Sequence, residues 1–188
     1  MIGVKIMLDL IKSLPHSVVK NIDGVNNLTV YAVEDFDLKL LKNMVKFGLD
    51  LLGDMGMDEW GLVPQIRHGN VYVLVERGIH KVIGLAIFMR DWEDVKTAYL
   101  FDNAISEDYQ GKGLGFQFLK VICEDLEKQD FDKISLTVDT DNKPAVILYK
   151  DKLGFEEVEF AKNEYGKGHH RYVMELNIEE FLQEDSTD

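Results

Sequence analysis

Apolar positions along the chain alternate between a helical spacing of about 3.6 and a strand spacing of two, and the switches mark out its elements. Val4, Leu8 and Ile11 recur at helical spacing before a polar, turn-rich stretch over 21–27, which predicts an N-terminal helical extension over residues 1–27. Residues 28–33 are apolar and β-branched and predict a strand. Glu34, Asp35 and Asp37 then place negative charge where a helix start favours it. Leu38, Leu41, Val45, Leu49 and Leu52 carry that helix's apolar stripe to the breakers Gly53 and Gly56. Residues 58–68 predict a second, shorter helix or an irregular lid.

Two strands follow, 71–76 and 81–90, joined by a turn around Gly78 that suits an antiparallel hairpin. A third strand spans about 96–106. After it come a Gly-rich loop, a helix with Gly115, Leu119, Ile122 and Leu126 on one stripe, and a strand alternating Ile134, Leu136 and Val138. Residues 142–152 predict a helix, with Pro144 tolerated in its first turn and Gly154 suited to its C-terminal cap. Strands 155–161 and 170–177, with Gly166 and Gly168 in the turn between them, close the fold, and residues after Glu184 fray. The expected fold is α/β, of the α+β type, with a mixed, mostly antiparallel twisted sheet of about six to seven strands flanked by helices. The extension 1–27 can pack on its own domain or on a second copy, forming a homodimer. Residues 28–178 form the domain and 179–188 a C-terminal tail.

A composition of 46% hydrophobic and 29% charged residues with three prolines is that of a globular chain, not a disordered or collagen-like one. The formal charge of -13 sets it against nucleic acid, whose binding needs clustered Lys and Arg, and no such cluster occurs. The same charge attracts cationic small molecules or simply serves solubility. Cys123, the only cysteine, can form no internal disulfide and sits in a helical apolar pattern as a core thiol. Lys5, Asp9 and Lys12 interrupt the apolar start, which fits neither a signal peptide nor a membrane span, so a cytoplasmic protein with no membrane partner is expected.

Chemistry enters with Gln110, Gly111, Lys112, Gly113, Leu114 and Gly115. Alternate glycines directly after a strand and before an amphipathic helix let the backbone approach a ligand closely, and the helix's first turn leaves N–H groups without intrahelical acceptors. The helix dipole adds up to about 2 kcal/mol for an anion, so a diphosphate fits. A P-loop needs Ser or Thr after Gly-Lys, whereas Gly113 follows Lys112; the dinucleotide fingerprint needs glycine at the position of Phe116.

Gln110, Gly113 and Gly115 match the Gln/Arg-x-x-Gly-x-Gly/Ala motif, and the chain here resembles the GCN5-related N-acetyltransferase (GNAT) superfamily. Ala104, Ile105 and Ser106 are similar to the end of that family's fourth strand, whose backbone pairs with the pantetheine arm. Asn142, Ala145, Tyr149 and the ending Leu153, Gly154 and Phe155 resemble its next signature. The order of elements agrees over 28–177. The resemblance implies acetyl-CoA as co-substrate, Tyr149 as the acid near the coenzyme sulfur and Asn142 as an amide contact to pantetheine; no metal is expected, since no Cys or His cluster has ligand spacing. It implies an N-acetyltransferase acting by direct attack in a ternary complex, with a small primary amine as acceptor. A protein or peptide amine is second within that class, and an acyl-CoA sensor without turnover is the alternative outside it.

The reaction sets its own requirements. A primary amine with a pKa of about 10.4 is protonated at pH 7, and freeing its lone pair costs about 4 to 5 kcal/mol. The departing thiolate needs an acid, which a protonated tyrosine supplies. Asn142 and Tyr149, seven residues apart, share a face on a continuous α-helix. For the base, Asp102 stands out as a carboxylate in the apolar strand 99–105, either a base with a raised pKa or a structural group, half of an ion pair or a turn-capping carboxylate. Glu107 and Tyr99 are the reserves. Polyamine acetyltransferases of this superfamily carry acidic residues on this strand, but Phe101 occupies the neighbouring position here. His169, His170 and Arg171 open the last strand without metal-ligand spacing and read as rim packing, while Trp60 and Trp92 read as ordinary packing.

Overall fold

The computed structural model describes residues 16–22, 27–35, 38–53, 56–76 and 81–184. The expected helical stripe of Val4, Leu8 and Ile11, the charge at Asp37, the turn at Gly78 and the end beyond Glu184 lie outside them. Among the described residues there are eight strands: β1 (His16–Asn21), β2 (Leu28–Val33), β3 (Asn70–Glu76), β4 (Lys81–Arg90), β5 (Thr97–Ile105), β6 (Lys133–Asp139), β7 (Glu156–Ala161) and β8 (Arg171–Asn177). They form one sheet in the order β1-β2-β3-β4-β5-β6-β8-β7. The helices are α1 (Leu38–Leu52), α2 (Glu59–His68), α3 (Leu114–Lys128), α4 (Lys143–Val146) and α5 (Ile178–Glu184). The mixed, mostly antiparallel architecture is as expected, with eight strands instead of six to seven.

The additional strand corrects the helical reading of the extension 1–27 at residues 16–21. His16–Asn21 pairs antiparallel with β2, shifting register between Val18 and Lys20. Val18 and Val19 are β-branched, which favours a pleated edge over a helix, and the Thr29 hydroxyl donates to Asn21 Oδ1 at 2.7 Å. The tail also needs correction, because Ile178–Glu184 is a helix. The Glu180 N–H donates to Asn177 Oδ1 at 3.1 Å, a side-chain cap, and Ile178 and Phe181 are buried. Residues 58–68 are a true helix: Asp58 caps it by accepting from the Gly61 N–H at 3.0 Å. Leu62 and Ile66 point inward, and Trp60, two positions from Leu62, is 89% exposed. Trp92 is also on the surface, so neither tryptophan packs as expected.

The chain divides into two compact units, residues 1–89 with 102–121 and residues 90–101 with 122–188, so that β5 and α3 each run from one into the other. In the first, β1 to β4 form an antiparallel meander. Leu41, Met44 and Val45 of α1 and Leu62 and Ile66 of α2 join Val71, Val73 and Val75 of β3 in one core. Tyr72 and Leu74 are buried on the opposite face of β3, which explains its unbroken apolar run. In the second unit β5 pairs parallel with β6 over Thr97 to Leu100, and β8 lies antiparallel between β6 and β7. Ile134, Leu136 and Val138 of β6 are buried, while the intervening residues stay half-exposed. Cys123 is fully buried on α3, and burial pushes its thiol pKa up, as suits an inert core thiol.

Candidate active site

In the first unit the Gly-rich loop hangs from the end of β5. Ser106 donates its N–H to the Ile83 carbonyl at 2.8 Å, which carries the β4 pairing one residue past the strand. Gly84 permits that closeness, since a Cβ there would stand 2.8 Å from Ile105 Cδ1 and 3.1 Å from Leu74 Cβ. A 3-10 turn over Glu107–Tyr109 follows, and the loop then passes through Gly111 at φ +70° and Gly113 at φ +74°. Those values lie in the left-handed region that glycine alone enters cheaply. A Cβ at either position would meet nothing within 4 Å, so the space in front of the loop is open. Leu114 is buried and anchors the first turn of α3, whose first intrahelical bond runs from the Gln117 N–H to the Gly113 carbonyl at 3.2 Å.

Side chains fix this loop from behind. Gln110 turns back to donate from Nε2 to the Ile105 carbonyl at 2.8 Å, so its side chain ties the loop to the strand end. Lys112 Nζ donates to the Asp108 carbonyl at 2.6 Å and lies 5.2 Å from the centre of the Tyr109 ring, with Lys81 Nζ 5.0 Å from the same ring. The Tyr109 hydroxyl donates to Glu76 Oε2 at 2.5 Å, and that carboxylate is the main reason the phenol is pushed up to about 12. Sequence reasoning missed Tyr109, because its partner lies 33 residues away and no local pattern connects them.

Asp102 is half-buried on β5, and burial pushes its carboxyl up from 3.8 to about 6, opposed only by a backbone hydrogen bond at Asn103. Among the described residues it forms no salt bridge. Of the reserves, Glu107 is exposed on the 3-10 turn. Tyr99 belongs to the second unit and shares a 3.1 Å hydrogen bond with the Thr137 hydroxyl.

The second unit carries Asn142 and Tyr149, and here the expected geometry changes. Asn142 is not inside the helix; it is the N-cap of α4, its Oδ1 accepting from the Ala145 N–H at 3.3 Å. Only four residues are α-helical before the chain widens into a π-helical turn over Ile147–Lys152. Asn142 and Tyr149 are therefore not two α-turns apart, and the shared-face argument from their seven-residue spacing fails. Tyr149 is buried, its ring edge-on to Phe155 at 5.5 Å. Phe155 N–H donates to the Tyr149 carbonyl at 2.9 Å across Gly154, whose φ of +78° closes the segment as the sequence suggested. His170 Nδ1 accepts from the Asn163 N–H at 3.1 Å and its ring lies against Phe160, which is rim packing.

Among the described residues, no group of three or more His, Cys, Asp or Glu side chains is placed to hold a metal ion. No helix among them is long and apolar enough to cross a membrane.

Comparison with known proteins agrees with these features. The [ribosomal protein bS18]-alanine N-acetyltransferase of Escherichia coli (strain K12) is 38% identical over 68 residues, 36% of this chain. The matched part is 45% of that relative's length, so the likeness spans less than half of it. The crystal structure of the E. coli enzyme superposes with a TM-score of 0.65 at 24% identity, covering 80% of this chain and 94% of that one. A spermidine N-acetyltransferase variant from Vibrio cholerae gives 0.67 at 18%, covering 86% and 99%. A GNAT family acetyltransferase from Elizabethkingia anophelis with acetyl-CoA bound gives 0.62 at 16%, covering 81% and 99%. At these identities the superpositions speak for the fold. Residues 46–155, more than half of the chain and inclusive of the loop, Asp102, Asn142 and Tyr149, match the acetyltransferase (GNAT) family, and the chain belongs to that family.

Proposed function

We propose that the protein transfers an acetyl group from acetyl-CoA to a primary amine by direct attack, with a small-molecule amine as acceptor. The observation that carries this reading is the open, left-handed glycine loop at the start of α3, within a chain of the acetyltransferase family. Its amides and the helix dipole suit the coenzyme's pyrophosphate, while the half-buried backbone at the end of β5, Ala104 and Ile105 with Ser106 just after it, suits the pantetheine arm. Gln110 and Lys112 act here through the loop's shape, since their side chains are turned onto the protein's own carbonyls. Asn142 offers its side-chain NH2 to a pantetheine carbonyl, its oxygen being engaged by the cap.

In the reaction the acceptor ammonium loses a proton to Asp102, directly or through water, and the amine lone pair attacks the thioester carbonyl carbon. The tetrahedral adduct collapses with cleavage of the carbon–sulfur bond as Tyr149 donates its hydroxyl proton to the departing thiolate; the nitrogen's second proton passes through water to the Tyr149 phenolate and restores it, and Asp102 releases the first proton to solvent. A carboxyl pushed up to about 6 is a better match to this work than one at 3.8, because it is largely ionised at pH 7 yet more basic. A peptide N-terminus is the second reading, favoured by the likeness to the bS18-alanine enzyme. Thiol release from acetyl-CoA with diamines, amino acids, aminoglycosides and peptides, beside a calorimetric titration with coenzyme A, tests the function. Turnover with an amine supports it. Coenzyme binding without turnover on any acceptor makes the protein a sensor, and no binding sinks both.

A further inference from the structure

On the second unit's sheet, one face is buried and the other carries polar side chains, among them an arginine whose Nε has no hydrogen-bond partner. Residues directly opposite in a ladder, or two apart on a strand, share a face. The pairs Tyr99↔Ser135, Thr137↔Val173 and Asp139↔Arg171 therefore place Tyr99, Thr137 and Arg171 on the half-exposed side of β5, β6 and β8. The Arg171 guanidinium carbon lies over the ring of Tyr165, 4.2 Å from its centre. Its Nε is buried without a hydrogen-bond partner, and among the described residues Arg171 enters no salt bridge. The acid nearest in register, Asp139, is turned away to accept the Asp141 N–H at 2.9 Å. Beside the arginine, Tyr99 shares its hydrogen bond with Thr137, and its raised pKa, due to burial first, also responds to the Tyr165 phenol and the Arg171 charge. Two phenols, a threonine hydroxyl and an arginine thus gather on one surface in a chain of charge -13.

We propose that Arg171, with the Tyr99 and Tyr165 hydroxyls, binds a carboxylate on the acceptor, so that the amine acetylated belongs to an amino acid or an acidic peptide and not to a polyamine. The inference rests on the acetyltransferase reading above. An arginine held by an aromatic face keeps its N–H fork fixed for a planar anion, and phenolic O–H groups add neutral donors. Its position suits the acceptor: Arg171 pairs with the last residue of β6, and from there the chain passes through Thr140, whose N–H donates to the His170 carbonyl at 3.2 Å, into the Asn142 cap and on to Tyr149.

The test compares matched acceptors, each a free amino acid or a peptide with an acidic second residue, against the same molecule with that carboxylate as carboxamide. The expected result is a kcat/KM preference for the acid of about 10- to 100-fold. That preference should collapse in Arg171→Gln and return in part in Arg171→Lys. Whether free amino acids or acidic peptides show the larger preference identifies the acceptor's size. An equal rate within each pair, or a preference that survives Arg171→Gln, overturns the proposal. Should no amine be acetylated, the enzyme reading has failed, and calorimetric titration with N-acetylalanine against N-acetylalaninamide still decides. Binding confined to the carboxylate and lost in Arg171→Gln upholds the site; equal or absent binding of the two refutes it.

Discussion

The loop at 110–115 and the segment from Asn142 to Gly154 both follow a strand and both begin a helix, yet they are built in opposite ways. The loop is exposed and held in shape by two left-handed glycines, with the Gln110 and Lys112 side chains tied to the preceding carbonyls of Ile105 and Asp108. The 142–154 segment buries its aromatic ring and abandons the α-helix after four residues for a wider turn. Main-chain amides suit a group that must be held, whatever the step of the reaction; a single buried hydroxyl suits a proton transfer made at one moment of it. Damage to the loop should therefore appear in coenzyme affinity, and damage at Tyr149 or Asp102 in turnover.

The largest effect belongs to Tyr149→Phe, which should lower kcat by about 10²- to 10⁴-fold with coenzyme A affinity unchanged by calorimetry. An affinity loss instead would make Tyr149 a binding residue and erase the contrast. Asp102→Asn should cost roughly 10²-fold in kcat and abolish the rise of activity through pH 6 that an ionising base gives. It should also stabilise the fold. The carboxyl's pKa is raised on folding from 3.8 to about 6, so the native state holds the proton more tightly than the unfolded chain. Stability is full below about 3.8 and is lost as pH rises through about 6. Denaturant melts should find the asparagine variant roughly 2 to 3 kcal/mol more stable at pH 8 and no different near pH 3. A variant equally stable at both would mean that Asp102 is not desolvated.

Gly113→Val should weaken coenzyme A binding by about 30-fold, the equivalent of some 2 kcal/mol of lost dipole and amide contact, without changing kcat at saturation. Because valine is strained at φ +74°, its circular dichroism must match the parent for the comparison to count. Smallest is Tyr109→Phe, which removes the hydroxyl holding the turn to Glu76. A rise of about 3- to 10-fold in KM for acetyl-CoA at constant kcat would show that the loop is fixed from behind.

What the sequence made legible follows the same division. Positions 111, 113 and 154 announce their backbone because positive φ is a local demand that glycine meets, and the alternating Ile134, Leu136 and Val138 announce their strand. The Asp102 carboxylate was conspicuous for its apolar neighbours. Asn142 and Tyr149 were found by their signature, but their relative aim was not, since a π-turn is set by packing and leaves no spacing of its own. The Tyr109 to Glu76 bond and the approach of Tyr99 to Arg171 are tertiary, and the letters of one segment do not contain them. β1 was hidden by a helical pattern upstream of it, and α5 was passed over although Asn177 and Glu180 spell a cap.

Backbone amide resonances followed while coenzyme A is added to the protein test the central claim most directly. The account predicts that Gly111, Gly113, Leu114 and Gly115 shift first and furthest, saturating with one equivalent. Titration that leaves these four amides in place while others move, or moves none, would contradict it.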